Sequence, residues 1–129
     1  MHKFLGLIIF AAIITMIVSA CGKTSDPASA AVEHYLVALA NKDSNTLSAL
    51  SCADWESNAL LELDSLQAVS TRLENLSCSS IGSGGTTTNV ICKGKIIATY
   101  NGEDQQLDLS LRTYQVVKQG GNFLVCGYQ

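Results

Sequence analysis

Four cysteines, Cys52, Cys78, Cys92 and Cys126, constrain the fold of this chain more than any other feature. The gaps between them are 26, 14 and 34 residues. Zinc ligands usually come as pairs at C-x2–4-C spacing, often with histidine beside them. No such pair exists here, so the cysteines hold no metal on this reading. An even number of cysteines in a small exported domain reads instead as two disulfides, with three possible connectivities. That reading needs an oxidising compartment, so the start of the chain decides it.

The chain opens with Met1-His2-Lys3, and residues 4–20 carry no charge. A basic start, an apolar run and small residues at its end make a secretory signal. A retained anchor is the alternative, because seventeen apolar residues lie near the lower limit for crossing about 30 Å of hydrocarbon. "VSAC", residues 18–21, resembles the bacterial lipobox, in which a cysteine after small residues is lipidated and becomes the mature N-terminus. That resemblance implies lipid on the Cys21 sulfur and sets Cys21 apart from the other four. Several acyl chains anchor stably where one binds only marginally. The expected organisation is a signal peptide at 1–20, lipidated Cys21 with a tether to residue 28, and one domain at 29–129. The expected location is the outer side of a bacterial membrane.

All eleven acidic residues follow Cys21, against seven Lys and Arg, a formal charge of 7 − 11 = −4. No basic block occurs, which argues against a nucleic-acid partner and against electrostatic binding to anionic lipid. About a hundred residues suffice for one small core.

Asp26 suits a helix N-cap and Pro27 the first helical position, with Val32, Tyr35, Leu36 and Leu39 forming one apolar stripe. "NKDSN" breaks that helix, and a short helical turn follows through Leu47 and Leu50. "SCAD" reads as an acidic capping box, Ser51 with Asp54, opening a longer helix. Trp55, Ala59, Leu63, Leu66, Val69 and Leu73 give that helix a buried face running to Asn75.

From Leu76 the chain reads as strands. "SSIGSGGTTT" is a flexible loop between strands holding Cys78 and Cys92, and it lacks the helix and lysine of a phosphate cradle. Asn101-Gly102 is a hairpin turn joining residues 90–100 to 106–117, and Gly120-Gly121 turns again into "FLVCGY". Leu107, Leu109 and Leu111 alternate with polar residues before the apolar parity switches to Tyr114 and Val116. That switch predicts a β-bulge near Thr113.

Helices followed by an antiparallel meander predict an α+β fold, with the N-terminal helices on one face of a curved sheet. In a meander the third strand separates Cys92 from Cys126 by two spacings of about 4.8 Å, beyond the roughly 7 Å that a disulfide tolerates between Cα atoms. The expected pairs are therefore Cys78–Cys92 and Cys52–Cys126.

"YLVALANKD" (35–43), "ALLELDSL" (59–66), the long ribbon and "YQVVKQGGNFLVCGY" (114–128) together resemble small lipoproteins of the nuclear-transport-factor-2-like superfamily. The resemblance implies a cone, a curved sheet wrapped on helices. That superfamily holds isomerases, dehydratases and ligand-binding domains, and no enzyme motif of it can be matched residue by residue here.

Candidate chemistry is sparse. His34, the only histidine after the leader, flanks the apolar stripe of the first helix and reads as a partly exposed helical residue or, if turned inward, a general base. Asp54 and Glu56 bracket Trp55, where a helix N-terminus favours acidic residues in any case. Trp55, Tyr100, Tyr114 and Tyr128 are candidate lining residues of the cone, each with an apolar body and a polar tip. The expected function is a tethered, non-catalytic domain binding a small apolar molecule or an envelope protein, with no cofactor. The alternatives are an isomerase- or dehydratase-like enzyme using a carboxylate or His34, and a purely structural docking lipoprotein.

Overall fold

The computed structural model describes residues 25–129, so the leader and Cys21 lie outside the described residues. Helix α1 (Pro27–Asn41) begins as its sequence dictates. The Asp26 side chain accepts from the Ser29 N–H at 3.1 Å, and Pro27 takes the first turn. Val32, Tyr35, Leu36 and Leu39 are fully buried. Ala28 is buried too, so the fold takes in residues that the sequence assigns to the tether. Lys42, in the left-handed region at φ 58°, ends the helix.

Two shorter helices follow, α2 (Ser44–Ala49), capped by Asp43, and α3 (Ala53–Ser65). The capping box does not form. Cys52 is the N-cap of α3 and makes no side-chain capping bond, while Ser51 Oγ donates back to the Leu47 carbonyl at 2.8 Å. Helix α3 also stops ten residues before Asn75. The chain turns through Leu66–Val69 and enters strand β1 (Ser70–Gly84), where Leu73 stands opposite Ile96.

Strand β1 pairs antiparallel with β2 (Thr87–Tyr100), so most of the expected Gly/Ser/Thr loop is strand and only a tight turn at Gly85 separates the two. Asn75 and Leu76 of β1 stand opposite Gly94 alone, a bulge that bends the ribbon. Asn101 and Gly102, with φ of 49° and 78°, turn β2 into β3 (Glu103–Asp108). No bulge lies at Thr113. A 3-10 turn, Leu109–Leu111, switches the apolar parity instead, held by Asp108 accepting from Ser110 N at 2.9 Å. As a result Leu109 is buried while Leu111 is 79% exposed, rather than both being half-buried in a strand.

Beyond the turn, β4 (Thr113–Gln119) rejoins the same edge of β2, at Thr87–Ile91, and Gly120-Gly121 returns the chain as β5 (Asn122–Tyr128). The sheet order is β1-β2-β4-β5, with β3 extending β2 alongside β4. Helix α1 lies across this sheet and touches β1, β2, β4 and β5. Burying each large apolar side chain there stabilises the fold by about 1.5–3 kcal/mol.

Both expected disulfides form. Cys78 and Cys92 are direct cross-strand partners, with Cα atoms 4.0 Å apart, and Cys78 N–H turns outward to Glu33 Oε1 at 2.9 Å. Cys52–Cys126 joins the start of α3 to β5 across a Cα distance of 5.2 Å. A bulge in β5 sets Cys126 and Gly127 opposite Gln115, which aligns Cys126 with Cys52 and returns Tyr128 to the concave side.

Candidate functional site

The cone gathers aromatic side chains from every layer. Tyr35 comes from α1, Trp55 from α3, Tyr114 from β4 and Tyr128 from β5. Trp55 Nε1 donates to Tyr35 Oη at 3.1 Å. Edge-to-face contacts link Tyr35 to Tyr114, Tyr114 to Tyr128 and Tyr128 to Trp55, with centroids 6.4, 5.6 and 5.4 Å apart. Each such pair adds about 0.5–1.5 kcal/mol beyond burial. Of the expected lining residues, Trp55, Tyr114 and Tyr128 do meet. Tyr100 sits at the β2–β3 hairpin, 59% exposed, and His34 lies outside on α1.

Glu62 and Arg112 complete the cluster. Arg112 Nη1 donates to Glu62 Oε1 at 2.7 Å, both side chains being largely buried, and the guanidinium lies 4.0 Å over the Tyr128 ring. Burial is the largest single influence on Arg112 and opposes its charge, but the hydrogen bond and charge of Glu62, with the neighbouring Tyr114, together outweigh it and raise the guanidinium pKa. Burial pushes the Tyr114 phenol up to about 12 and raises Tyr35 further. Glu62 Oε2 and Tyr114 Oη are buried and find no hydrogen-bond partner among the described residues.

Sequence reasoning missed both members of this pair. Glu62 stands three residues after Ala59 and one before Leu63, at the border of the apolar stripe, which is its one visible signal. Arg112 gave none, because the 3-10 turn that swings it inward rests on a local Asp108–Ser110 hydrogen bond.

A second feature lies outside the cone. The N-terminal half of α1, the end of α2 and the β4–β5 turn enclose an open cleft of about 490 Å³, lined mainly by Ala30, Ala49, Leu50, Phe123 and Leu124, with Pro27 at one end. His34 and Asn122 are its hydrogen-bonding side chains. Asp54 is exposed beside a smaller hollow of about 300 Å³ at Cys52–Cys126. Among the described residues, no three His, Cys, Asp or Glu side chains gather where a metal ion could be held, and no helix is long and apolar enough to cross a membrane.

No family model matches the chain, and no curated protein matches its sequence. Solved structures do superpose on it. A candidate ketosteroid isomerase from Shewanella frigidimarina gives a TM-score of 0.55 at 12% identity, covering 80% of this chain and 93% of that one. An NTF2-like protein with a cystatin-like fold from Novosphingobium aromaticivorans gives 0.55 at 10%, covering 79% and 77%. A candidate dehydratase of the NTF2-like family from Streptomyces avermitilis gives 0.54 at 13%, covering 79% and 90%.

The fold is the nuclear-transport-factor-2-like cone. At such identities the likeness extends to the fold alone, and function rests on the chain's own residues.

Proposed function

We propose that this chain is an exported, non-catalytic binding domain, held to a membrane by lipid on Cys21, and that its ligand is a small apolar molecule in the cleft beside α1. One observation carries this reading. Packed aromatic rings and the Arg112–Glu62 pair occupy the interior of the cone, whereas an open concavity of about 490 Å³ lies outside it. A cleft of this size falls within the range of ligand sites, which are mostly apolar with a few polar groups. The lipobox-like "VSAC" supports the tether.

Two measurements test it. In cell fractionation the full chain is expected with membranes and a Cys21→Ser variant in the soluble exported fraction; equal partitioning of the two would sink the tether. On the secreted Cys21→Ser chain, the neutral dye Nile red is expected to bind, to be lost when Ala30→Phe fills the cleft, and to persist in Tyr114→Phe. The opposite pattern would place the ligand in the cone.

A second reading, an isomerase- or dehydratase-like enzyme, is favoured by the unpartnered Glu62 Oε2 and Tyr114 Oη. A free carboxylate oxygen in the same cluster as a phenol could accept a proton while the phenol polarises a carbonyl. Against it, Arg112 already occupies Oε1, and a phenol pushed up to about 12 is a poor acid at neutral pH. His34, the natural base, is on the outside of the domain.

A further inference from the structure

We propose that the cleft beside α1 takes an uncharged single-chain lipid of the membrane, a monoacylglycerol-like molecule with its acyl chain on the apolar wall and its hydroxyl head at His34 and Asn122. The inference rests on the cleft reading above and names its ligand class.

The short distance from Cys21 to the cleft argues for a membrane occupant. Pro27 lines the cleft and lies only six residues after Cys21. Six residues extend at most about 20 Å. A lipid on Cys21 therefore keeps the cleft close to the bilayer surface, within reach of membrane lipids.

The wall offers a chain small residues to lie against. Ala30, Ala31, Ala49 and Gly121 are small, while Leu50, Phe123 and Leu124 supply apolar surface. Burying each methylene there is worth about 0.8 kcal/mol, so a chain of ordinary length has ample driving force.

The lining as a whole disfavours an anion. A free helix N-terminus attracts negative groups, but that of α1 is already filled. Asp26 accepts from Ser29 N at 3.1 Å, Ser29 Oγ at 2.6 Å and Ser80 Oγ at 2.7 Å. Those bonds, the Ser29 hydroxyl foremost, hold its carboxyl down to about 2, so a negative charge stands next to Pro27 at every working pH. Neither lysine nor arginine lines the cleft to offset it. Neutral hydroxyls, by contrast, can both donate to and accept from an imidazole and an amide.

The test uses the secreted Cys21→Ser chain in native mass spectrometry with 1-monopalmitoylglycerol or palmitate, each below its self-association concentration. The expected result is a one-to-one glyceride adduct, at least tenfold weaker in Ala30→Phe and at least tenfold weaker for palmitate. Equal binding of palmitate, or a glyceride adduct indifferent to Ala30→Phe, overturns the proposal. If Ala30→Phe does not fold, Ala49→Trp on the exposed wall replaces it. Nile red bound in an Ala30→Phe-sensitive manner with no glyceride adduct defeats the lipid inference alone. Dye binding that ignores Ala30→Phe defeats the cleft reading itself.

Discussion

Arg112 and Glu62 show how much a single side chain depends on its partner inside the cone. Removing one member of a largely buried ion pair leaves the other charged and unpaired, which costs more than replacing both by apolar groups. Arg112→Met is expected to lower stability by about 3 kcal/mol, and Glu62→Met/Arg112→Met to recover most of that loss. Denaturant unfolding of the two single variants and the double variant checks this; simple additivity would mean that the pair is not coupled. Asp26 gives a pH-dependent counterpart. Its carboxyl lies at about 2 in the fold against an ordinary 3.8. A lowered folded value contributes stability that is present above about pH 4 and fades as pH falls through 2. Asp26→Asn keeps the cap but should flatten the melting temperature across that window, whereas wild type should fall.

At the scale of elements, the bend in the β1–β2 ribbon depends on Gly94. Its φ is +100°, and a Cβ there would come 2.5 Å from the Glu74 carbonyl oxygen and 2.6 Å from that of Asn75. Both obstacles are backbone, so Gly94→Ala is expected to destabilise by well over 1 kcal/mol, read as a drop in denaturation midpoint. A neutral result would show that the bulge can migrate. This bulge also marks where local reading failed. Leu66, Val69 and Leu73 continue the face of α3 in helical spacing, so nothing local ends the helix at Ser65. What ends it is distant, since Leu73 gains Ile96 as a strand partner and Cys78 gains Cys92. Elements with strong local signals were legible, namely the Asp26-Pro27 start, the Asn101-Gly102 turn and the Gly120-Gly121 turn. Trp55 and Tyr114 were legible as lining candidates from helix and strand period, whereas Tyr128 reaches the concave side only through the β5 bulge. Arg112 was not, because one 3-10 turn reversed its direction.

For the whole molecule, the two disulfides are nested, the 14-residue span of Cys78–Cys92 lying within the 74-residue span of Cys52–Cys126. By loop-closure entropy the outer bridge restricts the unfolded chain by about 4 kcal/mol. Cys52→Ala/Cys126→Ala is expected to lose roughly that much in denaturant unfolding; a loss under about 1 kcal/mol would mean the unfolded ensemble is already held together by the inner bridge and residual structure. The outer bridge also seats a short extended segment against the sheet. Cys52 N donates to the Val125 carbonyl at 3.0 Å and Val125 N to the Leu50 carbonyl at 2.8 Å, so the outer side of β5 is occupied. On the opposite margin Glu33 takes the outward N–H of Cys78. Molecules confined to a membrane plane meet sideways far more often than free ones, and open strand margins would zip together on such encounters. Under the tether proposed above, copies of this domain would meet with β5 covered at Val125 and β1 at Cys78, which shortens the open strand that each presents.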